Sequence, residues 1–136
     1  MSEFVDTNVF IRFLTGDDPL KAARCLALFA RAQRGEATLV TSEAVVAEIT
    51  YVLTSRATYR FPRAKVAAAL RPLIAGPGLR IEHKESVLRA VDLWEESDLD
   101  VEDCLSVEHI RRAGLAGIYS YDRDFDRVPD IRRLGP

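Results

Sequence analysis

The chain has 136 residues, and long apolar runs, a basic leader and a cysteine framework are all missing from it. No apolar stretch reaches the length of a membrane span. The start Met1-Ser2-Glu3 lacks the basic region with which a signal peptide begins. The only cysteines, Cys25 and Cys104, lack the spacing of a metal knuckle or redox pair, so we expect both to be reduced core residues. These absences favour a cytoplasmic protein without a membrane partner.

The bulk composition is that of one ordinary globular domain. The chain has a mass of 15.2 kDa, with 48% hydrophobic and 29% charged residues, which predicts a single domain over residues 1–136. There is no phosphate-binding glycine loop and no nucleophile elbow, so the common nucleotide-binding and serine-hydrolase classes are disfavoured.

Acidic residues are absent between Glu48 and Glu82, although the net charge of the whole chain is -2. Local basicity of this kind can contact nucleic-acid phosphates even on an acidic protein. Solubilising a helix face is an equally good explanation for any one cation. The candidate RNA-binding residues are Arg56, Arg60, Arg63, Lys65 and Arg123.

Strand-like and helix-like segments alternate along the chain, which predicts an α/β domain with a mostly parallel sheet. We expect strands at 3–6, 37–41, 79–82 and 117–121, with a weak fifth at 131–134. The helices are expected from near Asn8, from Pro19 and over 42–59, 63–74, 85–96 and 101–113. Asp6 and Asp122 each follow a predicted strand, where sites form in such sheets.

Four carboxylates stand in or beside apolar runs: Asp6, Glu48, Asp103 and Asp122. Buried carboxylates without a partner are costly, so the set predicts a shared counter-charge. A divalent cation is the simplest one, and oxygen ligands suit Mg²⁺ or Mn²⁺ better than zinc.

Each carboxylate also has a structural explanation. The helical neighbours of Glu48 are largely apolar, which predicts a core-facing acid, but a salt bridge to an arginine is the alternative. Asp6 and Asp103 could be ordinary helix-start residues, and Asp122 a turn residue. The hypothesis therefore depends on the set. The residues that could support these carboxylates are Asn8, Ser120, Asp100 and Asp124, of which Asp124 could replace Asp122.

In these motifs the chain resembles PIN-domain proteins, specifically the VapC-type toxins of bacterial toxin–antitoxin pairs. The run from Asp6-Thr7-Asn8 to Asp18-Pro19 is similar to the family's opening motif, and Glu48 to its second acid. The segment 100–103 resembles the third acidic motif, with Asp103 in the metal-binding place, and the segment 120–125 resembles the hydroxyl-x-Asp element. No single motif is specific, but four in this order are.

This resemblance implies a three-layer α/β/α fold with a central parallel sheet of four or five strands. It implies a Mg²⁺-dependent endoribonuclease, with Asp6, Glu48, Asp103 and Asp122 as the catalytic, metal-binding residues. It also implies a homodimer held inactive by a cognate VapB-type antitoxin.

Two other functions stay open. One is a non-catalytic PIN-like module that binds RNA or protein and whose acids are caps and salt bridges. The other is phosphoryl transfer to an aspartate, for which an Asp-x-Asp pair is expected after the first strand. Asn8 stands at the second position of that pair, so we rank this function last.

Overall fold

The computed structural model describes residues 2–136. The chain divides into two compact units, of which the first ends at Lys84 and the second is Glu85–Pro136. Among residues 2–136, no helix has the length and apolar character that crossing a membrane requires.

The first unit alternates strands and helices, as predicted. Its elements, in chain order, are β1 (Ser2–Phe4), α1 (Thr7–Thr15), α2 (Pro19–Gln33), β2 (Thr38–Thr41), α3 (Glu43–Thr54), α4 (Arg63–Ala75) and β3 (Leu79–Ile81). The strands form a parallel sheet in the order β1-β2-β3, with Phe4 beside Val40 and Val40 beside Arg80. Apolar side chains of β2, α3 and α4 are fully buried, among them Leu39, Ile49 and Leu70. This buried layer holds the first turn of α1 and the middle of α3 in place.

The second unit is mostly helical. Its elements are α5 (Lys84–Glu96), which begins one residue before the unit, α6 (Val101–Ala113), β4 (Ile118–Tyr119), a 3₁₀ helix at Arg123–Arg127, and β5 (Arg133–Leu134). Trp94 is buried with its helical neighbours Ala90 and Val91. Cys104 is a buried free thiol, whereas Cys25 in the first unit is free and partly exposed.

The predicted α/β class is confirmed, but the predicted sheet was too large. Over residues 2–136, the main sheet has three strands rather than four or five, and β4 and β5 form a separate parallel pair. The reason is that β4 is only two residues long and its flanking amides donate to the last segment: Ile118 to the Arg132 carbonyl at 2.9 Å, and Ser120 to the Leu134 carbonyl at 3.0 Å. Gly117 permits this approach, since a Cβ there would lie 2.3 Å from the Arg132 oxygen.

Helix α3 is shorter than predicted, because it ends at Thr54 instead of about Tyr59. Ser55 takes an extended conformation with ψ 137°. The amide of Phe61 then donates back to the Leu53 carbonyl at 2.8 Å, while Arg60 adopts a φ of +55°. The segment after Thr54 is therefore a compact turn, which the helical pattern of apolar residues did not reveal.

Candidate active site

Asp6 is the N-cap residue of α1 by its backbone conformation, but its side chain makes no capping hydrogen bond. The carboxylate is exposed. In contrast, Asp18 caps α2 by accepting from the Lys21 amide, and Ser42 caps α3 by accepting from the Val45 amide. The alternative that Asp6 serves as an ordinary cap is therefore not supported, and its carboxylate is available to a ligand.

Glu48 accepts a hydrogen bond from the hydroxyl of Thr7, with 2.8 Å between Oγ1 and Oε2. Thr7 is buried, at 3% relative exposure, and follows Asp6 directly. This contact joins the first turn of α1 to the middle of α3. Within the first unit it therefore links the segment that carries Asp6 to Glu48, and these are two of the four predicted carboxylates.

The prediction of a core-facing Glu48 was wrong, because the side chain is exposed. Helix α3 buries Val46, Ile49 and Leu53, whereas Tyr51, three residues after Glu48, is 71% exposed. The apolar neighbours of Glu48 in the sequence therefore lie partly on a surface strip, and local spacing alone could not separate this strip from the core. Sequence reasoning missed the contact of Thr7 with Glu48.

Asp103 lies in the first turn of α6 and is partly buried. Burial raises the pKa of its carboxyl, and the negative charges of Asp122, Asp100, Asp124 and Glu102 raise the pKa further. The second unit thus places three other predicted acids, Asp100, Asp122 and Asp124, near Asp103. Asp100 is the N-cap of α6 and, like Asp6, makes no side-chain capping bond.

The loop after β4 is fixed by its own side chains. The Ser120 hydroxyl accepts from the Asp122 amide at 3.0 Å, and Asp122 Oδ1 accepts from the Asp124 amide at 2.9 Å. Asp122 thereby caps the 3₁₀ helix, which agrees with the turn explanation of this residue. Arg133 binds Asp126 at 2.9 Å and the Ser120 carbonyl at 3.2 Å, which ties the loop to β5. Ser120 thus orients the backbone of Asp122, and its hydroxyl has no contact with a carboxylate in this loop.

The PIN domain family model matches residues 4–131, so the match extends over both units. The chain belongs to the PIN domain family. PIN domains are generally nucleases that use divalent metal ions. No curated protein matches the chain significantly. Among solved structures, the chain is similar to the crystal structure of VapBC2 from Rickettsia felis bound to a DNA fragment from their promoter, with 15% identity, 99% of this chain and 98% of that chain covered, and a TM-score of 0.38.

The carboxylates of this PIN domain are ligands of the kind that Mg²⁺ binds, but the described residues do not form a preformed coordination site. Within residues 2–136, no group of three or more His, Cys, Asp or Glu side chains is arranged to hold a metal ion. Mg²⁺ in enzymes usually takes one or two carboxylates and completes its octahedron with water and substrate phosphate. Burial and then the negative charges of the neighbouring acids raise the pKa of Asp103, and a bound divalent cation would act in the opposite direction. The donor set therefore fits this ion.

The predicted basic residues of this PIN domain differ in how they are held. Arg56 and Arg123 are exposed. Arg60 donates to the Arg56 carbonyl at 2.6 Å, and the Lys65 ammonium lies 4.0 Å from the centre of the Phe61 ring. Arg63 is partly buried and has an interaction of its own. Their role in RNA binding stays a prediction.

Proposed function

We propose that this PIN domain is a Mg²⁺-dependent endoribonuclease and the toxin of a VapC-type toxin–antitoxin pair. The observation that carries the proposal is the acidic group around the partly buried Asp103, whose pKa is raised by burial and then by the negative charges of the neighbouring acids, in a chain of a generally nucleolytic family. On a surface that only binds RNA, clustered acids would weaken binding, because carboxylates repel the phosphates.

In this proposal Asp6, Glu48, Asp103 and Asp122 serve one reaction. A bound Mg²⁺, for which Mn²⁺ could substitute, would lower the pKa of a water molecule and polarise the scissile phosphate. These four carboxylates are the proposed metal ligands. The Thr7 hydroxyl would keep the Glu48 carboxylate oriented, as the 2.8 Å hydrogen bond supports.

Either Asp122 or Asp124 could be the fourth carboxylate of the proposed site. One carboxylate oxygen of Asp122 accepts the hydrogen bond from the Asp124 amide. Asp124 itself is partly buried, and its carboxylate lies 3.8 Å from the Arg127 guanidinium. Asp122→Asn keeps an oxygen that can accept the same amide and removes only the charge. A loss of activity in Asp122→Asn with near-normal activity in Asp124→Asn would therefore assign the position to Asp122, and the reverse result would assign it to Asp124.

The direct test is cleavage of total RNA by purified protein freed of any partner, with Mg²⁺ and with EDTA, followed by mapping of the new 5′ ends. We expect cleavage with Mg²⁺ and none with EDTA. Asp6→Asn and Asp103→Asn should abolish cleavage without unfolding the protein. Asp98→Asn is the control, since its side chain is 94% exposed and lies outside the proposed set. Undiminished cleavage in EDTA would refute the proposal.

A cytoplasmic homodimer and a cognate VapB-type antitoxin complete the proposal. Both are carried over from the motif resemblance, and they are tested by light scattering of the isolated protein and by copurification of a partner from the native host.

The second candidate is a non-catalytic RNA- or protein-binding module. The capping of the 3₁₀ helix by Asp122 favours it, because such a module would use its acids as caps and salt bridges. It predicts that Mg²⁺, titrated by calorimetry, binds weakly or not at all and that no RNA is cut at any metal concentration.

A further inference from the structure

Helices α1 and α2 contact each other and border a pocket of about 290 Å³ in the first unit. Its lining residues are Asn8, Val9, Arg12, Lys21, Arg24 and Cys25. Asn8 and Arg12 are four residues apart on α1, and Lys21 and Arg24 three apart on α2, so each pair lies on one helix face. Three cations therefore share one concave surface, and none of the three was among the predicted RNA-binding residues.

Arg12 is held in place from outside the pocket. Its Nη1 donates to Asp17 Oδ1 at 3.1 Å, and Asp17 in turn accepts hydrogen bonds from the hydroxyls of Thr15 and Tyr59. A guanidinium has five N–H groups, so this one contact leaves donors for a ligand. The anchored side chain has less rotamer freedom to lose on binding than a free surface arginine.

Lys21 and Arg24 carry charge that the protein balances poorly. The Lys21 ammonium lies 3.9 Å from Asp18 and is 60% exposed. Among residues 2–136, Arg24 has no ion-pair partner. The charge of Arg12 also affects Cys25, which lines the pocket: burial raises the pKa of this thiol, and Arg12 opposes that rise. The positive charge at this pocket would attract an anion.

The geometry points to a phosphate-binding subsite for the RNA backbone, formed by Arg12, Lys21 and Arg24. Asn8 lines this pocket and stands two residues after Asp6, the N-cap residue of α1, so an RNA strand bound here would lie near the end of α1 that carries a carboxylate of the proposed site. The inference rests on the proposed function for the identity of the anion, because arginines and lysines bind RNA phosphates through the same contacts as any other phosphate.

The test measures RNA binding without turnover. The affinity of a short fluorescent single-stranded RNA is followed by anisotropy in Mg²⁺ buffer over a range of salt, with Asp103→Asn present in every protein. Arg24→Gln and Lys21→Gln are each compared with Arg31→Gln, which removes the same charge from an exposed position of α2 outside the pocket.

We expect Arg24→Gln and Lys21→Gln each to weaken binding about fivefold. Each should also lower the slope of log affinity against log salt by about 0.7, the value for one lost phosphate contact on a single strand. Arg31→Gln should change neither quantity. Equal effects of Arg24→Gln and Arg31→Gln, or no effect of either, would overturn the inference.

Two further arms identify the source of the anion. If free phosphate, followed by phosphorus NMR, loses affinity in Arg24→Gln while RNA does not, the pocket binds small anions and the inference is wrong. If Arg24→Gln weakens binding of a copurified protein partner but not of RNA, the pocket recognises an acidic peptide and the inference is again wrong. None of these binding measurements involves cleavage. A wild-type protein without RNA-cleaving activity would therefore refute the proposed nuclease function, whereas the comparison of RNA affinities between the pocket variants would remain valid.

Discussion

Thr7→Val isolates the hydrogen bond that orients Glu48. The substitution exchanges a hydroxyl for a methyl group at a residue that is 3% exposed, and it removes the donor that lies 2.8 Å from Glu48 Oε2. Because Thr7 stands in the first turn of α1, no intrahelical backbone bond depends on its side chain. Under the proposed function, the carboxylate of Glu48 would lose its fixed orientation while keeping its charge.

The structure sets the expected magnitudes. A hydrogen bond to a charged group contributes about 1.5–3 kcal/mol, but Glu48 is exposed and can turn to water, so we expect about 1 kcal/mol of lost stability. Removing the partner that orients a metal-binding carboxylate typically costs 10–100-fold in metal affinity or activity. We therefore expect roughly a tenfold loss in kcat/KM and a similar loss in Mg²⁺ affinity.

Two matched variants make the result decisive. Thr7→Ser keeps the hydroxyl and should restore most of the activity. Thr50→Val removes another buried hydroxyl, which in α3 donates to the Ala47 carbonyl at 2.7 Å, so it should lower stability without changing Mg²⁺ affinity. Activity is measured on a defined RNA, Mg²⁺ binding by calorimetry and stability by urea unfolding. If Thr7→Val and Thr50→Val lower activity equally at equal folded fraction, Thr7 has no positioning role.

Three other predictions concern stability. Glu108 is 3% exposed and lies 2.8 Å from Arg111, so in urea unfolding Glu108→Gln should cost roughly 2–3 kcal/mol. Asp126→Asn breaks an exposed ion pair with Arg133 and should cost much less. Similar losses in the two variants would contradict this reasoning. Hydrogen bonds from Tyr59 and Thr15, and then from Arg12, lower the pKa of Asp17 from 3.8 to about 2, so its contribution to stability is full above the ordinary pKa and is lost as the pH falls toward about 2. The stability difference between wild type and Asp17→Asn, measured across that range, should shrink as the pH falls; a constant difference would count against the shift. Gly117→Ala should destabilise the protein by about 1–3 kcal/mol because its Cβ would meet the Arg132 oxygen, while Gly135→Ala has open space and should not shift the melting temperature.

Elements with signals in their own residues were predictable. Helix α6 runs from Val101 to Ala113, as expected, because Glu102 and Asp103 place negative charge in its first turn and Gly114 ends it in the left-handed conformation. Helix α2 likewise begins at Pro19 after the cap Asp18. Such signals act within a few residues, so they do not depend on how the rest of the chain folds.

Features that depend on distant residues were not predictable in this way. The end of α3 is determined by a turn that returns Phe61 to Leu53, and the pairing of β4 with β5 by the approach of the last residues to Gly117. The exposure of Glu48 depends on which faces of α3 are covered by other elements. Helical periodicity of apolar residues cannot show which apolar helix face is buried and which is exposed to solvent.

By itself, then, the sequence determined the α/β class, most helix boundaries and the acids of the PIN motifs, because periodicity, caps and motif order are local properties. Tertiary structure alone decided that the Thr7 hydroxyl reaches Glu48 across 41 positions. It alone placed Arg12 and Arg24 around one pocket. The physical reason is that hydrogen bonds and charge clusters depend on distances through space, and those distances exist only after the helices have packed.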